Sequence, residues 1–248
     1  MEKIIKQGNI AKLKLEIEAN AIITISPTTE REVKVVCEFT GAEIEVSEKK
    51  DDTILICKIK DPNQNKKNLT LFSERFGEQN VFSFFSSLNN VVKKMQELKV
   101  SSELIKVAVY LPINLNENKI LINNGKIQAE NIKLNKFKVE GNNTDIKISK
   151  NSIIEEIKLN LNNCKIKLPL NEFTKLIKIE TNNSKIKLYR TDKFLGKIKH
   201  KGNNCTVKGI FDGDENMAVV KIYSNNSDIK VIGFNKISLD ELTNNTNI

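Results

Sequence analysis

Two residue types recur at a spacing that could do chemistry. One asparagine dipeptide occurs six times: Asn123-Asn124, Asn142-Asn143, Asn162-Asn163, Asn182-Asn183, Asn203-Asn204 and Asn225-Asn226, at steps of 19, 20, 20, 21 and 22 residues. Stacked side-chain amides can bond to one another as a ladder, and Asn accepts the left-handed backbone of a tight bend. Read functionally, the same rows could bind a glycan or an ion. Calcium fits poorly, because the Gly-Gly-x-Gly-x-Asp pattern of calcium-binding rolls is absent. The second type is lysine. Four residues before each pair stand Lys119, Lys138, Lys158, Lys178, Lys199 and Lys221. Five after its first Asn stand Gln128, Lys147, Lys167, Lys187, Lys208 and Lys230. Columns of one sign could attract an anionic partner: a polyanionic wall polymer, lipid headgroups or nucleic acid. They could equally keep a β surface soluble and unaggregated. The candidate partner face is Lys138, Lys147, Lys158, Lys167, Lys178, Lys187, Lys208, Lys221 and Lys230. Nucleic acid fits it least, since Arg190 is the one arginine of the repeats and no aromatic residues alternate with the lysines for base stacking.

Catalytic chemistry finds few residues. His200 is the only histidine and falls at an inward repeat position, between Lys199 and Lys201. The densest acidic run, Phe211-Asp-Gly-Asp-Glu215, lies where the repeat step lengthens and reads as a solvated outer bend. No Gly-x-Ser-x-Gly, phosphate-binding loop or dinucleotide fingerprint appears. The outer positions carry lysines where a sugar-cleaving β-helix needs paired carboxylates. The expectation is a protein that is not an enzyme, with no catalytic, cofactor-binding or metal-binding residues. Of the four cysteines, Cys164 and Cys205 hold equivalent positions two repeats apart. That predicts a separation of about 9–10 Å, beyond disulfide reach. No cysteine spacing suggests zinc, and a reduced cytoplasm is the simplest location.

The elements that must position these residues follow from period 2. Ile127, Ile146, Ile166, Ile186, Val207 and Ile229 stand four after the first Asn; Ile120, Val139, Leu159, Ile179, His200 and Ile222 stand three before it. Apolar and polar residues alternate on both sides of each pair, which means strands with one face buried. A strand–Asn turn–strand unit cannot bury its Ile and Val alone, so a 20-residue period predicts an all-β β-solenoid of stacked coils. Residues 1–61 read as N-terminal strands or irregular first coils: Ala11–Glu18, Ile22–Ser26, Glu32–Phe39, Ala42–Val46 and Thr53–Ile59, with Lys49–Asp52 as a turn. Residues 106–240 are the regular repeats and 241–248 a tail. Between them, 62–105 is a loop plus one inserted amphipathic helix, since Val81, Phe84, Phe85, Leu88, Val91, Val92, Met95 and Leu98 recur at spacings of three and four. Such a helix could cap an end of the stack. Alternatively its face, with Phe82, Phe84, Phe85, Leu88, Val92 and Met95, is a candidate membrane or partner surface. Residues 1–62 carry 10 basic and 12 acidic side chains, whereas residues 106–248 carry 24 and 15, so charge is polarised along the chain. No stretch reaches the roughly 18 apolar residues of a membrane span. The N-terminus shows no secretory pattern. Cytoplasm, with peripheral contact at the inner face of the membrane, is the expected location.

The lead-in Val107-Ala-Val-Tyr-Leu-Pro112 and the repeat Asn124-Gly125-Lys126-Ile127, within Asn-Asn-x-[Lys/Asp]-Ile units of about 20 residues, resemble the bacterial "putative adhesin" β-strand repeat family, a domain of unknown function. Later units depart from the pattern, replacing the Gly with Thr144, Cys164, Ser184, Cys205 and Ser227. The resemblance covers most of residues 10–235. It implies a β-solenoid with a loose association with the bacterial envelope and no established catalytic residues. The expected function is a non-enzymatic interaction or scaffold module binding a protein or an anionic envelope component through its lysine-rich face. The alternative is a self-assembling, bactofilin-like filament protein.

Overall fold

The computed structural model describes residues 2–39, 45–51, 53–61, 105–113, 115–209 and 212–233. Seventeen strands and no helix make up these residues. In chain order they are β1 (Glu2–Gly8), β2 (Lys12–Glu18), β3 (Ala21–Thr28), β4 (Glu32–Glu38), β5 (Glu45–Asp51), β6 (Ile54–Lys60), β7 (Ile105–Pro112), β8 (Glu117–Ala129) and β9 (Lys133–Ile148). There follow β10 (Ile153–Asn162), β11 (Lys165–Leu170), β12 (Leu176–Asn182), β13 (Lys185–Arg190), β14 (Gly196–Lys201), β15 (Thr206–Lys208), β16 (Asp214–Asn225) and β17 (Asp228–Gly233). The helix expected over 81–98, with Phe82, Phe84, Phe85, Leu88, Val92 and Met95, lies outside the described residues.

Each repeat contributes one strand segment before its Asn pair and one after it. Segments of one kind pair in parallel, in a register that matches repeat to repeat. The first ladder runs β2, the start of β8, the start of β9, β10, β12, β16, β14. The second runs β3, the end of β8, the end of β9, β11, β13, β17, β15. Their inward residues meet in a single core containing Ile120, Val139, Leu159, Ile179 and Ile222 from one ladder and Ile127, Ile146, Ile166, Ile186 and Ile229 from the other. One residue breaks the pattern. Asn118 is fully buried in register between Leu13 and Phe137, and neither end of its amide has a hydrogen-bond partner.

A Cβ at Gly141 would lie 1.6 Å from the Ile122 carbonyl oxygen on the facing strand, so glycine is required there.

The N-terminal strands belong to the same stack. β2 and β3 form a layer beneath β8, and β6 and β7 form the next, pairing in parallel with β2 and β3. The chain between β6 and β7 leaves the described residues at Asp61 and returns at Ile105, whose amides bond the carbonyls of Glu18 and Asn20. The 62–104 segment is therefore inserted in the chain at the corner where the six repeats carry two asparagines. Beyond this layer the pairing turns antiparallel: β4 lies on β7, β1 on β4, and β5 on β6. Residues Lys49–Asp51, expected as a turn, extend β5, and β1 was not foreseen in the sequence.

The last two repeats are not stacked in chain order. The sixth repeat, β16 and β17, lies between the fourth (β12, β13) and the fifth (β14, β15). Cys164 and Cys205 are therefore three layers apart rather than two, about 14 Å at the usual strand spacing. The Cys164 position is followed upward by Ser184, Ser227 and then Cys205. All four cysteines are free thiols.

Candidate functional site: two outward lysine columns

The second Asn of every pair holds a left-handed backbone, with φ between 48° and 63° at Asn124, Asn143, Asn163, Asn183, Asn204 and Asn226. This turns the chain sharply and leaves both amides at the corner. The first asparagines form one row: Asn142, Asn162, Asn182 and Asn225 each donate through Nδ2 to Oδ1 of the layer below, at 3.3, 3.0, 3.1 and 3.1 Å. The second form another, with Asn143, Asn163 and Asn183 donating downward at 2.8, 3.3 and 3.3 Å, and Asn204 to Asn226 at 3.2 Å. The amides satisfy one another, so the rows act as a structural spine.

Beneath this spine lies a buried polar column that the sequence presents only as a departure from Gly. The hydroxyls of Thr144, Ser184 and Ser227 each donate to the carbonyl two residues back, at 2.9 Å. Cys164 approaches Ser184 Oγ at 3.1 Å, and Cys205 donates to the Asn203 carbonyl at 3.2 Å. Small side chains with a short polar arm close the turn without filling the corner. His200 is half-buried in the fifth repeat, with Nε2 3.1 Å from Ser224 Oγ. Among the described residues, no group of three or more His, Cys, Asp or Glu side chains is arranged to hold a metal ion.

The lysines line up as columns on two different ladders. Lys119, Lys138, Lys158, Lys178, Lys221 and Lys199 are in register on the first. Lys147, Lys167, Lys187, Lys230 and Lys208 are in register on the second, above Gln128. The candidate partner residues therefore divide: Lys138, Lys158, Lys178 and Lys221 on one outer face, the other five on another.

The two columns differ in their surroundings. On the first ladder, glutamates pair with the lysines, Glu140, Glu117 and Glu180 from two residues along the same or the adjacent strand. Lys119 pairs with Glu140 at 2.7 Å, Lys138 with Glu117 at 2.7 Å, Lys178 with Glu180 at 2.6 Å, and Lys199 with Glu215. Burial pushes the Glu117 carboxyl up, but the bond and charge of Lys138 outweigh it and hold the carboxyl below its usual range. Glu180 in turn raises Lys178. A shallow groove of about 320 Å³ runs between these pairs, lined by Lys119, Lys138, Lys158, Lys178, Glu140 and Glu180. On the second ladder, none of Lys126, Lys147, Lys165, Lys167, Lys185, Lys187, Lys208 and Lys230 has an ion-pair partner among the described residues. Lys167, in the middle, is lowered by partial burial and by the charges of Lys187 and Lys147.

No family model matches the chain, and no curated protein does. Among solved structures the chain is similar to a putative cell adhesion protein from Clostridium sporogenes, at 14% identity and a TM-score of 0.45, covering 94% of this chain and 99% of that one. A putative adhesin from Bacteroides fragilis gives 11%, 0.34, 94% and 97%. A putative lipid binding protein from Parabacteroides distasonis gives 10%, 0.30, 94% and 93%.

Proposed function

We propose that this chain is a non-enzymatic β-solenoid interaction module that binds an anionic component of the bacterial envelope through an outward lysine face. The observation that supports the reading most is the parallel, in-register stacking of repeats, which turns single lysines at a fixed repeat position into columns. Like charges at strand spacing repel one another. A counter-charged partner relieves that repulsion, so the stack is predisposed toward anions. The solenoid itself is the simplest path for two parallel ladders sharing one core. Peripheral attachment at the inner face of the membrane is the location that goes with this function.

Immobilised polyphosphate, vesicles of anionic lipid and an acidic peptide, each tested at low and high salt, decide the matter. The module should be retained on at least one at low salt and released at high salt. Passage through all three at low salt would refute anion binding.

A further inference from the structure

We infer that the binding surface is the outer face of the second ladder alone, and that its occupant is a flexible, linear phosphate polymer lying along the stack axis. The inference rests on the anion-binding function just proposed and narrows it. Across the same three layers the two outer faces differ in kind. On β9, β10 and β12 the first ladder presents Lys136, Lys138, Lys158 and Lys178 against Glu140, Glu156 and Glu180. On β9, β11 and β13 the second presents Lys147, Lys165, Lys167, Lys185 and Lys187 against Asp145 alone. Asp145 is itself engaged, accepting the Lys165 backbone N–H at 2.8 Å. On the first face Lys119, Lys138, Lys178 and Lys199 are ion-paired, while Lys158 and Lys221 have no such pair among the described residues; among those residues the second face has no ion-paired lysine in its column and leaves that charge for a partner.

The shape of the charge selects a chain rather than a sheet of anions. The Lys147, Lys167, Lys187, Lys230 and Lys208 column is one residue wide and five strands long, a run of about 19 Å at the strand spacing. Lys147, Lys167 and Lys187 are half-buried, so their stems lie on the β surface with the ammonium groups in line. Their neighbours on one side are Lys126, Asp145, Lys165, Lys185 and Asp228, which vary in sign. On the other side stand Ser149, Pro169, Tyr189 and Ile232, which carry no charge. A narrow positive track with neutral residues along one side and two further lysines on the other meets a strand of phosphates along its length, whereas an anionic bilayer would touch it along one line only. Lysine, a point charge on a flexible stem, suits phosphates spaced irregularly along a mobile polymer.

Long-chain inorganic polyphosphate is the probe, with K147Q/K167Q/K187Q and K138Q/K158Q/K178Q compared in the full chain. Both triples alter outward side chains, and circular dichroism checks that both remain folded. The second-ladder triple should weaken binding about tenfold or more and flatten its salt dependence, as expected when phosphate contacts are removed. The first-ladder triple should stay within about twofold of the unaltered protein, and K147R/K167R/K187R should retain binding. Equal losses in the two glutamine triples, or a greater loss in the first-ladder triple, would overturn the assignment. Binding to anionic vesicles without binding to polyphosphate would overturn the linear polymer while leaving the anion-binding module standing. Silence toward both at low salt would remove the two readings together.

Discussion

At the scale of single residues, the fold is decided at its corners and tested by one misfit in its core. The second Asn of each pair sits at positive φ, where an L-residue with a larger or non-polar side chain loses about 1–2 kcal/mol. Asn163→Ala should therefore destabilise more than Asn163→Gly by about 1 kcal/mol, since both lose the amide bonds to the neighbouring layer but only alanine meets the backbone penalty; urea titration reads the difference. Asn118 presents the reverse case. An unpartnered buried amide is costly, and leucine has nearly the same branched shape, so Asn118→Leu should raise stability by about 1–3 kcal/mol. A lower unfolding midpoint for this variant would mean that the amide is satisfied. The thiols give a pH signature. Burial pushes Cys37 up to about 11 and Cys57 up to about 12 from an ordinary 9.0. A raised thiol pKa favours the protonated folded state, so this stabilisation is intact below pH 9 and fades as pH climbs toward 11 and 12. The slope of stability against pH above 9 should be shallower in Cys37→Ala/Cys57→Ala than in the unaltered protein, whatever the variant's stability at neutral pH.

At the scale of elements, the unexpected feature is the order of the last layers. Because every repeat carries the same alternation, β14 could pair with β12 almost as well as β16 does, and the inward residues would still be buried. Engineered cysteines distinguish the two orders. Lys178 and Lys221 are register partners on adjacent strands, within disulfide reach, whereas Lys178 and Lys199 lie two strands apart, at about 9–10 Å. Under mild oxidation K178C/K221C should cross-link and K178C/K199C should not. The opposite result would restore simple chain order. β5 teaches a related lesson. Its Lys49-Lys50-Asp51 end has no alternation to mark a strand, yet pairing with β6 extends it, because an outermost strand with little to bury need not show the period-2 pattern.

At the scale of the whole molecule, the ends decide between a module that works singly and one that grows. At the two ends of the first ladder the outermost strands among the described residues are charged: β5 carries Glu45, Glu48, Lys49, Lys50 and Asp51, and β14 carries Lys197, Lys199 and Lys201; at the ends of the second, β1 carries Glu2, Lys3 and Lys6 and β15 carries Lys208. Charged edge strands discourage pairing with another copy. Light scattering at low salt should therefore return a mass independent of concentration. A mass that climbs with concentration, with rods in negative stain, would favour the filament alternative. The N-terminal strands join the same stack as the repeats, so unfolding should show one transition for both.

Read alone, the sequence marks the repeat strands, their inward and outward faces, the Asn corners and the lysine columns. All of these are periodic, and periodicity is a local property that a linear reading can detect. It could not reveal which repeat lies beside which, because near-identical repeats offer near-identical partners and the choice rests on three-dimensional packing. Nor could it separate the two lysine columns. Their spacing is the same in the chain; whether a glutamate on a neighbouring strand reaches across to a lysine, as Glu140 does to Lys119 and Glu117 to Lys138, is fixed only when the strands stand side by side, and such contacts neutralise much of one column and leave the other open.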